Sequence, residues 1–388
     1  MRVLYVNHTS AVSGAERSLL ALLAALPPDV EALVASPPGH LSEAVERLGI
    51  ATTPILDTAG SLRLHPLHTP RALAEMSVAA LQVRRAARRH GADVVHANSI
   101  RAGLELALAR VSPAASIVHV RDCLPPGALT TATMRTIAFG ARTIVANSQY
   151  TADTVKRAAP AARVEVVHPA IDLAEFDPAR IDGAAARAAL GVAGTRRVLL
   201  GVVAQLSPWK GQDTAIEALR LLREQHLDAH LLLIGEAKFV ARATRFDNEA
   251  YVSDLRRLVA EAGLEDRVSW LGQREDVAQL IRALDVLLLP SHEEPFGRVL
   301  LEAMALEVPV LATSVGGPAE LVTEGIDGYL VPPREPAAWA QGVRRVVGGP
   351  AQGRALGRAG RLRIAEAFDA KDHAAAMLAV YERARSDR

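Results

Sequence analysis

Two glutamates eight positions apart carry the clearest chemical pattern in the chain, in the stretch PSHEEPFGRVLLEAMA (290–305). The apolar run before this stretch predicts a buried strand and the run after Gly297 predicts a helix, with a turn between them. The first N–H groups of that helix, at Phe296, Gly297 and Arg298, point outward and favour an anionic ligand such as a phosphate. At 1.5 Å of rise per residue, Glu302 lies about 7–8 Å further along the helix axis, which suits hydrogen bonds to a ribose.

Glu294 lies in the turn itself, beside whatever group is attached to the phosphate. A carboxylate next to a phosphate pocket is costly unless it binds hydroxyl groups or supports a reaction, and a sugar supplies such hydroxyls. The alternative is that Glu293 and Glu294 only favour the helix dipole and that Glu302 lies on a solvated helix face. This stretch taken alone leaves both interpretations open.

Two further turns at predicted strand ends carry candidate ligand contacts. Lys210 lies in AQLSPWKGQD (204–213), on a proline-containing loop that opens a helix. From there its ammonium group reaches a diphosphate, and an ordinary surface lysine is the alternative. In SVGGPAELV (314–322) the paired glycines let the backbone approach a ligand closely. Glu320 in the same stretch is either a ligand contact or an acid in the first turn of a helix.

These turns connect short apolar runs that alternate with longer helical patterns. The predicted strands form two series, 3–7, 32–36, 93–98, 116–120 and 143–148, then 197–205, 230–235, 267–272, 285–291 and 308–313. Alternating strands and helices imply right-handed crossovers and open, doubly wound parallel sheets that bind ligands at the carboxyl ends of their strands. The stretch between the series, 173–196, is rich in Pro, Gly, Asp and Ala and predicts a linker between two Rossmann-like domains.

Composition and charge disfavour several classes of protein. A formal net charge of +1 argues against a general nucleic-acid binder. Cys123 is the single cysteine, which permits no internal disulfide and is consistent with a cytoplasmic protein. No apolar run reaches the roughly 18–20 residues of a membrane span. The stretch TSAVSGAER (9–17) contains Gly14 but no dinucleotide fingerprint, which disfavours a nicotinamide enzyme. With no Asp-x-Asp between strand residues and no His/Cys cluster, no metal is expected.

Together these motifs resemble the retaining glycosyltransferases of the GT-B fold, group-4 type (family GT4). The segment from Glu294 to Glu302 matches their E-x7-E motif, with Leu-Pro-Ser before it and Glu-Ala-Met after it. The stretches PVLATSVGGPAELV and DGYLVPP (327–333) and the SPWKG loop match as well. The resemblance runs from the first strand to the C-terminal helix, is strongest over 197–333 and is diffuse over 15–160.

The resemblance implies an α/β protein with two Rossmann-like doubly wound domains that face each other across a cleft. An acceptor domain is expected over 1–172 and a nucleotide-sugar-binding domain over 197–367. The C-terminal helix, about 368–388, is expected to pack back on the first domain. Such enzymes bind the donor mainly on the second domain and the acceptor mainly on the first.

The resemblance also assigns roles to the second-domain residues. It implies that Lys210 neutralises the donor diphosphate, that Glu294 lies by the sugar and that Glu302 holds the ribose. The backbone from Phe296 to Val299 would meet sugar hydroxyls and phosphate. The family uses no metal, because basic side chains and helix dipoles carry the charge.

The sequence departs from the family at Gln205, where an arginine is usual. A neutral amide donates a hydrogen bond but carries no charge, so Lys210 and Arg298 must compensate for more of the diphosphate charge. Gly14 and its neighbours in the first domain are expected to border the donor phosphate.

The first domain carries candidate residues at the ends of two neighbouring strands. In SIVHVRD the resemblance places His119 at the reacting centre, although a histidine on an apolar strand is otherwise a core residue. Arg121 and Asp122 flank it, and His96 and Asn98 end the preceding strand. These four are candidates for contacts to the acceptor.

The sequence therefore predicts a retaining, metal-independent glycosyltransferase with a nucleotide-diphosphate sugar, UDP- or GDP-linked, as donor and no cofactor. The acceptor is a hydroxyl of a glycan, a lipid-linked or a small molecule, and no nucleic acid is a partner. The alternatives are a nucleotide-sugar epimerase on the same fold and a non-catalytic nucleotide-sugar-binding partner of a transferase. The arginine-rich helix predicted over 70–91 is either a weak peripheral contact with the inner face of a membrane or a solvated basic face.

Overall fold

The computed structural model of the chain describes residues 1–58, 68–237 and 247–386. Its strands are β1 (Arg2–Val6), β2 (Glu31–Ser36), β3 (Ala51–Pro54), β4 (Val94–Ala97), β5 (Ala115–Val120), β6 (Thr143–Ala146), β7 (Val164–Val166), β8 (Val198–Val203), β9 (Ala229–Ile234), β10 (Val268–Gly272), β11 (Val286–Leu289), β12 (Val310–Thr313) and β13 (Tyr329–Val331). Its helices are α1 (Gly14–Ala24), α2 (His40–Arg47), α3 (His68–His90), α4 (Ile100–Ala109), α5 (Ala128–Gly140), α6 (Gln149–Ala158), α7 (Gly183–Ala189), α8 (Gln212–Glu224), α9 (Asn248–Glu261), α10 (Val277–Ala283), α11 (Arg298–Ala305), α12 (Pro318–Leu321), α13 (Pro336–Val347), α14 (Pro350–Ala367) and α15 (Ala370–Ser386). Within these described ranges, no helix is long and apolar enough to cross a bilayer.

The chain divides into two compact units. The first comprises Met1–Ala170 and Ala370–Arg388, and the second comprises Ile171–Asp369. The C-terminal helix α15 is therefore part of the first unit. The stretch 173–196, for which a linker is predicted, is part of the second unit, because it contains α7 and buries Val192 in the core of that unit.

The sheet of the first unit is parallel and doubly wound. Its described strands lie in the order β3-β2-β1-β4-β5-β6-β7. Successive residues of β1 point to opposite faces: Leu4 and Val6 pack with α3 to α6, and Val3 and Tyr5 pack with α1, α2 and α15. Both faces are covered, which explains why the central strands are continuous apolar runs in the sequence. The strand order reverses between β1 and β4, and a crevice opens there at the carboxyl ends of the strands.

The second unit repeats this arrangement. Its described strands lie in the order β10-β9-β8-β11-β12-β13 and pair in parallel. One face packs against α7, α10, α11 and α14, and the other packs against α8, α9 and α13. The strand order reverses between β8 and β11, so the loops that follow these two strands border the crevice of this unit. The SPWKG loop follows β8 and the E-x7-E segment follows β11.

Candidate active site

The loop after β8 is joined to the loop after β11 by backbone contacts. A short 3-10 turn, Pro208–Lys210, ends at Gly211, which has a left-handed φ of 70°. A Cβ atom at Gly211 would lie 2.0 Å from the carbonyl oxygen of Pro290, so only glycine fits at this position. The N–H of His292 donates to the carbonyl of Trp209 over 2.8 Å. These contacts bring the ammonium of Lys210 to the turn that contains Glu294.

Glu294 receives two donors on a single carboxylate oxygen. Lys210 Nζ and Ser291 Oγ each lie 2.7 Å from Glu294 Oε2. Only 8% of the Glu294 side chain and 14% of the Lys210 side chain are exposed. A carboxylate buried to this extent requires a counter-charge, and the ammonium group supplies it. Glu294 is therefore a buried, paired carboxylate and not a solvated one.

Glu302 is paired in a similar way, one helical turn from the start of α11. Its Oε1 lies 3.2 Å from Nε of Arg298, and the two side chains are 8% and 15% exposed. Glu302 therefore does not lie on a solvated face either. The cations Lys210 and Arg298 are thus both matched by carboxylates.

The first turn of α11 presents its backbone rather than an aromatic side chain. Gly297 precedes the helix with a left-handed φ of 94°. The ring of Phe296 is buried in the core, with its centroid 6.0 Å from that of Phe368, so any ligand contact at Phe296 comes from the main chain. Arg298 and Val299 are half-buried and begin the helix. Its outward N–H groups and dipole suit a phosphate.

The paired glycines after β12 have a different task from the one that the sequence suggests. Gly317 N–H donates to the carbonyl of Glu294 over 2.9 Å. A Cβ at Gly316, which has a φ of 106°, would lie 2.0 Å from that same oxygen. The glycines therefore let two strand-to-helix turns approach each other and so fix the backbone of Glu294. Glu320 lies half-buried in α12, and its N–H donates to the carbonyl of Gly317.

Sequence reasoning missed the residues that hold the SPWKG loop. The side chain of Gln212 donates to the carbonyl of Gln205 over 2.9 Å. Tyr251 on α9 places its hydroxyl 3.1 Å from Oδ1 of Asp213 and 3.3 Å from Oε1 of Gln212. The neutral Gln205 adds no cation to the site. No local pattern marks Tyr251, because it lies far along the chain from the loop that it supports.

Arg334 and His292 form a second contact that the sequence does not reveal. A guanidinium N–H of Arg334 donates to Nδ1 of His292 over 3.1 Å, and burial together with this guanidinium holds the pKa of His292 below its usual range. Arg334 follows β13 with a left-handed φ of 60°. The imidazole is therefore neutral at physiological pH, with its proton on Nε2.

In the first unit, two histidines are stacked at the ends of β4 and β5. The rings of His96 and His119 lie 5.5 Å apart and are fully buried. His96 Nδ1 lies 2.5 Å from the hydroxyl of Tyr381, and a guanidinium N–H of Arg121 donates to Nδ1 of His119 over 3.0 Å. Burial, reinforced by Arg121, lowers the pKa of His96 to about 3 and holds the pKa of His119 well below its usual range. His119 is thus neutral, with its proton on Nε2, a buried nitrogen to which the described residues offer no hydrogen-bond acceptor.

A hydrogen-bonded chain connects this pair to the start of α1. Arg121 also donates to Oδ1 of Asn98 over 2.9 Å, and Asn98 donates to Oδ1 of Asn7 over 3.0 Å. Asn7 in turn donates to Oε1 of Glu16 over 3.2 Å. The other oxygen of Glu16 accepts the N–H of Ser13 and caps α1. Asn7 and Glu16 are buried, and no local sequence pattern marks them as site residues.

Two further predicted site residues of the first unit lie at the start of α1 and after β5. Gly14 is the first residue of α1, and a Cβ placed there would meet nothing within 4 Å. The fold therefore does not require glycine at this position. Asp122 is exposed as a whole residue. Desolvation of its carboxylate and the nearby charge of Glu16 raise its pKa, and the nearby charge of Arg121 lowers it. Within the described ranges, no three His, Cys, Asp or Glu side chains are grouped so as to hold a metal ion.

Two family models match the chain, one in each half. "Glycosyltransferase Family 4" matches residues 12–175 and "Glycosyl transferases group 1" matches residues 185–363. The chain is 39% identical over 180 residues to a D-inositol 3-phosphate glycosyltransferase of Mycolicibacterium gilvum, an alignment that covers 46% of this chain and 38% of that relative. The same-named relative of Streptomyces avermitilis is 35% identical over 302 residues, covering 76% and 61%. The matches thus span less than two thirds of these relatives.

A solved structure matches over the whole length. The crystal structure of Anabaena Alr3699/HepE in complex with UDP-glucose has a TM-score of 0.81 and 26% sequence identity, covering 98% of this chain and 100% of that one. This likeness confirms the expected fold class, two Rossmann-like domains of the GT-B type. The family that the motifs indicated is confirmed as well: the chain belongs to the group 1 and family 4 glycosyltransferases.

Proposed function

We propose that this protein transfers a sugar from a nucleotide-diphosphate sugar to an acceptor hydroxyl, with retention at the anomeric carbon and without a metal. The observation that carries the proposal is the pair of buried ion pairs at the strand ends of the second unit. Lys210 holds Glu294 beside the turn, and Arg298 holds Glu302 one helical turn further on. When a diphosphate binds to the two cations, Glu294 becomes available to contact the sugar and Glu302 becomes available to contact the ribose.

The charge arrangement accounts for departure of the leaving group. When the bond between the anomeric carbon and the diphosphate oxygen breaks, the electron pair stays on that oxygen. Lys210 and the N-terminus of α11 stabilise the charge that grows there. The acceptor oxygen forms its bond on the same face of the sugar, and its proton passes to the departing phosphate oxygen. No metal takes part in this account, since Lys210, Arg298 and the helix dipole act on the diphosphate.

The similar structures support uridine diphosphate as the nucleotide part of the donor. Anabaena Alr3699/HepE was crystallised with UDP and with UDP-glucose and shares 26% of its residues with this chain. GDP-sugars are the second class to test. Gly14, Gln205 and Glu320 are proposed as further donor contacts, through the first turn of α1, the loop after β8 and the first turn of α12.

The first unit is proposed to bind the acceptor. The Nε2 proton of His119 is its best candidate for a contact to the reacting sugar, because Arg121 occupies Nδ1. Asn98, His96 and Asp122 are proposed to contact the acceptor. The relatives named D-inositol 3-phosphate glycosyltransferase support a phosphorylated polyol as one acceptor class, and the guanidinium of Arg121 suits an anionic acceptor. A glycan or a lipid-linked hydroxyl are the other classes.

Two alternatives make different predictions. A nucleotide-sugar epimerase would interconvert the donor sugar with no acceptor present. A non-catalytic partner of a transferase would bind the donor and never turn it over. The pairing of Lys210 with Glu294 argues against the non-catalytic partner. A carboxylate held beside the lysine that is proposed to bind the diphosphate is placed to serve a group that reacts there.

Thermal unfolding with a panel of UDP-, GDP-, ADP- and TDP-sugars tests the proposal. A ligand at about 100 times its Kd stabilises the folded state by about 2.7 kcal/mol, so the cognate donor raises Tm by several degrees. The Lys210→Ala variant serves as the control and shows a smaller shift. No shift with any nucleotide sugar would contradict the proposed donor site.

A further inference from the structure

Helix α3 presents a mixed apolar and basic stripe to the outside of the first unit. Val78, Leu81, Arg85 and Arg88 follow one another at spacings of three and four residues and all are exposed. Such spacings place side chains on one helical face. Leu73, Val78 and Leu81 are 57%, 46% and 55% exposed. The stripe is therefore apolar in the first part of the helix and cationic in its last turns.

A groove lies beside this stripe, at the edge of the sheet. It has a volume of about 450 Å³ and runs between α3 and β3, the edge strand. Arg85, Arg89 and His90 line its helix side, and Thr53 and Pro54 line its strand side. Two guanidinium groups, a hydroxyl and a backbone edge are the donors that an anionic headgroup requires.

Four arginines of α3 have no counter-charge within the described part of the unit. Among the residues that the structure describes, no carboxylate forms an ion pair with Arg84, Arg85, Arg88 or Arg89. The helix contains one acidic residue, Glu75, and five arginines. A charged helix face that only faces water does not need two exposed aliphatic side chains, Val78 and Leu81, in the same stripe as its arginines. Cations next to exposed Leu and Val are instead typical of helices that lie in a membrane interface.

We propose that the outer face of α3 and its adjoining groove dock this protein on an anionic bilayer. The groove receives phosphate-bearing headgroups on Arg85 and Arg89, and Leu73, Val78 and Leu81 enter the boundary between headgroups and acyl chains. An arginine near an anionic bilayer surface strengthens binding about fivefold. The surface does not include the donor or acceptor residues, so docking and sugar transfer are separate properties.

Vesicle co-sedimentation tests the proposal, with phosphatidylcholine vesicles that contain or lack phosphatidylglycerol. Wild type binds the anionic vesicles, and Arg85→Gln/Arg89→Gln lowers the partition coefficient roughly thirty-fold. The matched control is Arg354→Gln/Arg358→Gln, an exposed arginine pair at the same spacing on α14. The control has the same net charge and keeps wild-type binding. Donor binding by both variants, followed by calorimetry, stays unchanged.

Leu81→Ser tests the apolar part of the stripe. It lowers binding at high as well as low salt, because insertion of apolar groups is not screened, whereas the effect of the arginine pair fades as salt rises. If the Arg85/Arg89 variant binds anionic vesicles as tightly as the Arg354/Arg358 variant, the proposal is overturned. It is also overturned if wild type binds vesicles without phosphatidylglycerol as tightly as those that contain it. Release of wild type by inorganic phosphate at constant ionic strength would identify a site for a free anion instead. A wild type that binds no vesicle also overturns it.

Discussion

Replacing Glu302 and Glu294 by glutamine separates the two roles proposed for the carboxylates. Glutamine keeps the shape of each side chain and removes its charge. At Glu302 the change removes the counter-charge of Arg298, whose Nε lies 3.2 Å away. At Glu294 the amide oxygen can still accept from Lys210 and Ser291, which both lie 2.7 Å from the carboxylate oxygen. Both variants are therefore expected to fold.

The two changes have opposite expected effects on nucleotide affinity. Loss of charge-assisted bonds from Glu302 to a ribose costs about 1.5–3 kcal/mol. Arg298, freed from its carboxylate, returns part of this attraction to the diphosphate, so affinity falls by about tenfold, the lower end of that range. Glu294→Gln leaves Lys210 less neutralised, so nucleoside diphosphate affinity is unchanged or higher. Its turnover falls instead, by roughly 10- to 100-fold, because its contact is to the transferring sugar.

Calorimetric titration with the cognate nucleoside diphosphate, beside turnover with the full donor, measures both effects. Glu293→Gln makes the same charge change one residue from Glu294 and is the matched control, with affinity and turnover both retained. If Glu294→Gln loses affinity while Glu302→Gln keeps it, the two roles are reversed. If neither variant changes either quantity, the buried ion pairs serve only the fold.

Four further outcomes are expected. Lys210→Ala lowers turnover by about two to three powers of ten in steady-state kinetics, and a near-wild-type rate would remove Lys210 from the mechanism. Activity survives EDTA, and a loss on chelation that Mg²⁺ or Mn²⁺ restores would contradict the charge account. Gly14→Ala leaves thermal stability unchanged, because its Cβ enters open space, and raises the KM for the donor; an unchanged KM would remove Gly14 from the site. Burial raises the pKa of Glu105 from 4.5 to about 7, so unfolding releases a proton between these pH values and stability falls as pH rises through them. Between these pH values the free energy of unfolding of the wild type, measured in urea, should fall by about 3 kcal/mol relative to that of Glu105→Gln. If the unfolding free energies of the two proteins change with pH in the same way, the pKa of Glu105 is not raised.

The central strands and long helices could be predicted from the sequence because they are buried on both faces. The run at 32–36 became β2 (Glu31–Ser36), and the helix predicted over 70–91 became α3 (His68–His90). The strands that the pattern missed, β3, β7 and β13, have three or four residues and lie at sheet edges. An edge strand is only partly covered, so its sequence lacks the continuous apolar run that marks a central strand.

The candidate site could be predicted where its residues are neighbours in the chain. The spacing from Glu294 to Glu302 placed both near a helix start, and that geometry is present. Contacts from distant parts of the chain were not predictable. Lys210 reaches Glu294 across 84 positions, and Arg334 reaches His292 across 42. Such contacts depend on which strands are neighbours in the sheet, and a local pattern does not contain this information.

The most direct test of the account is proton NMR of a reaction with the donor identified by thermal shift, an acceptor and excess chelator. The account predicts a new anomeric signal of the same configuration as the donor, formed in equal amount with nucleoside diphosphate and absent with Lys210→Ala. A donor converted to its epimer, or a product of inverted configuration, would contradict it. A donor that binds and remains unchanged with every acceptor class would contradict it as well.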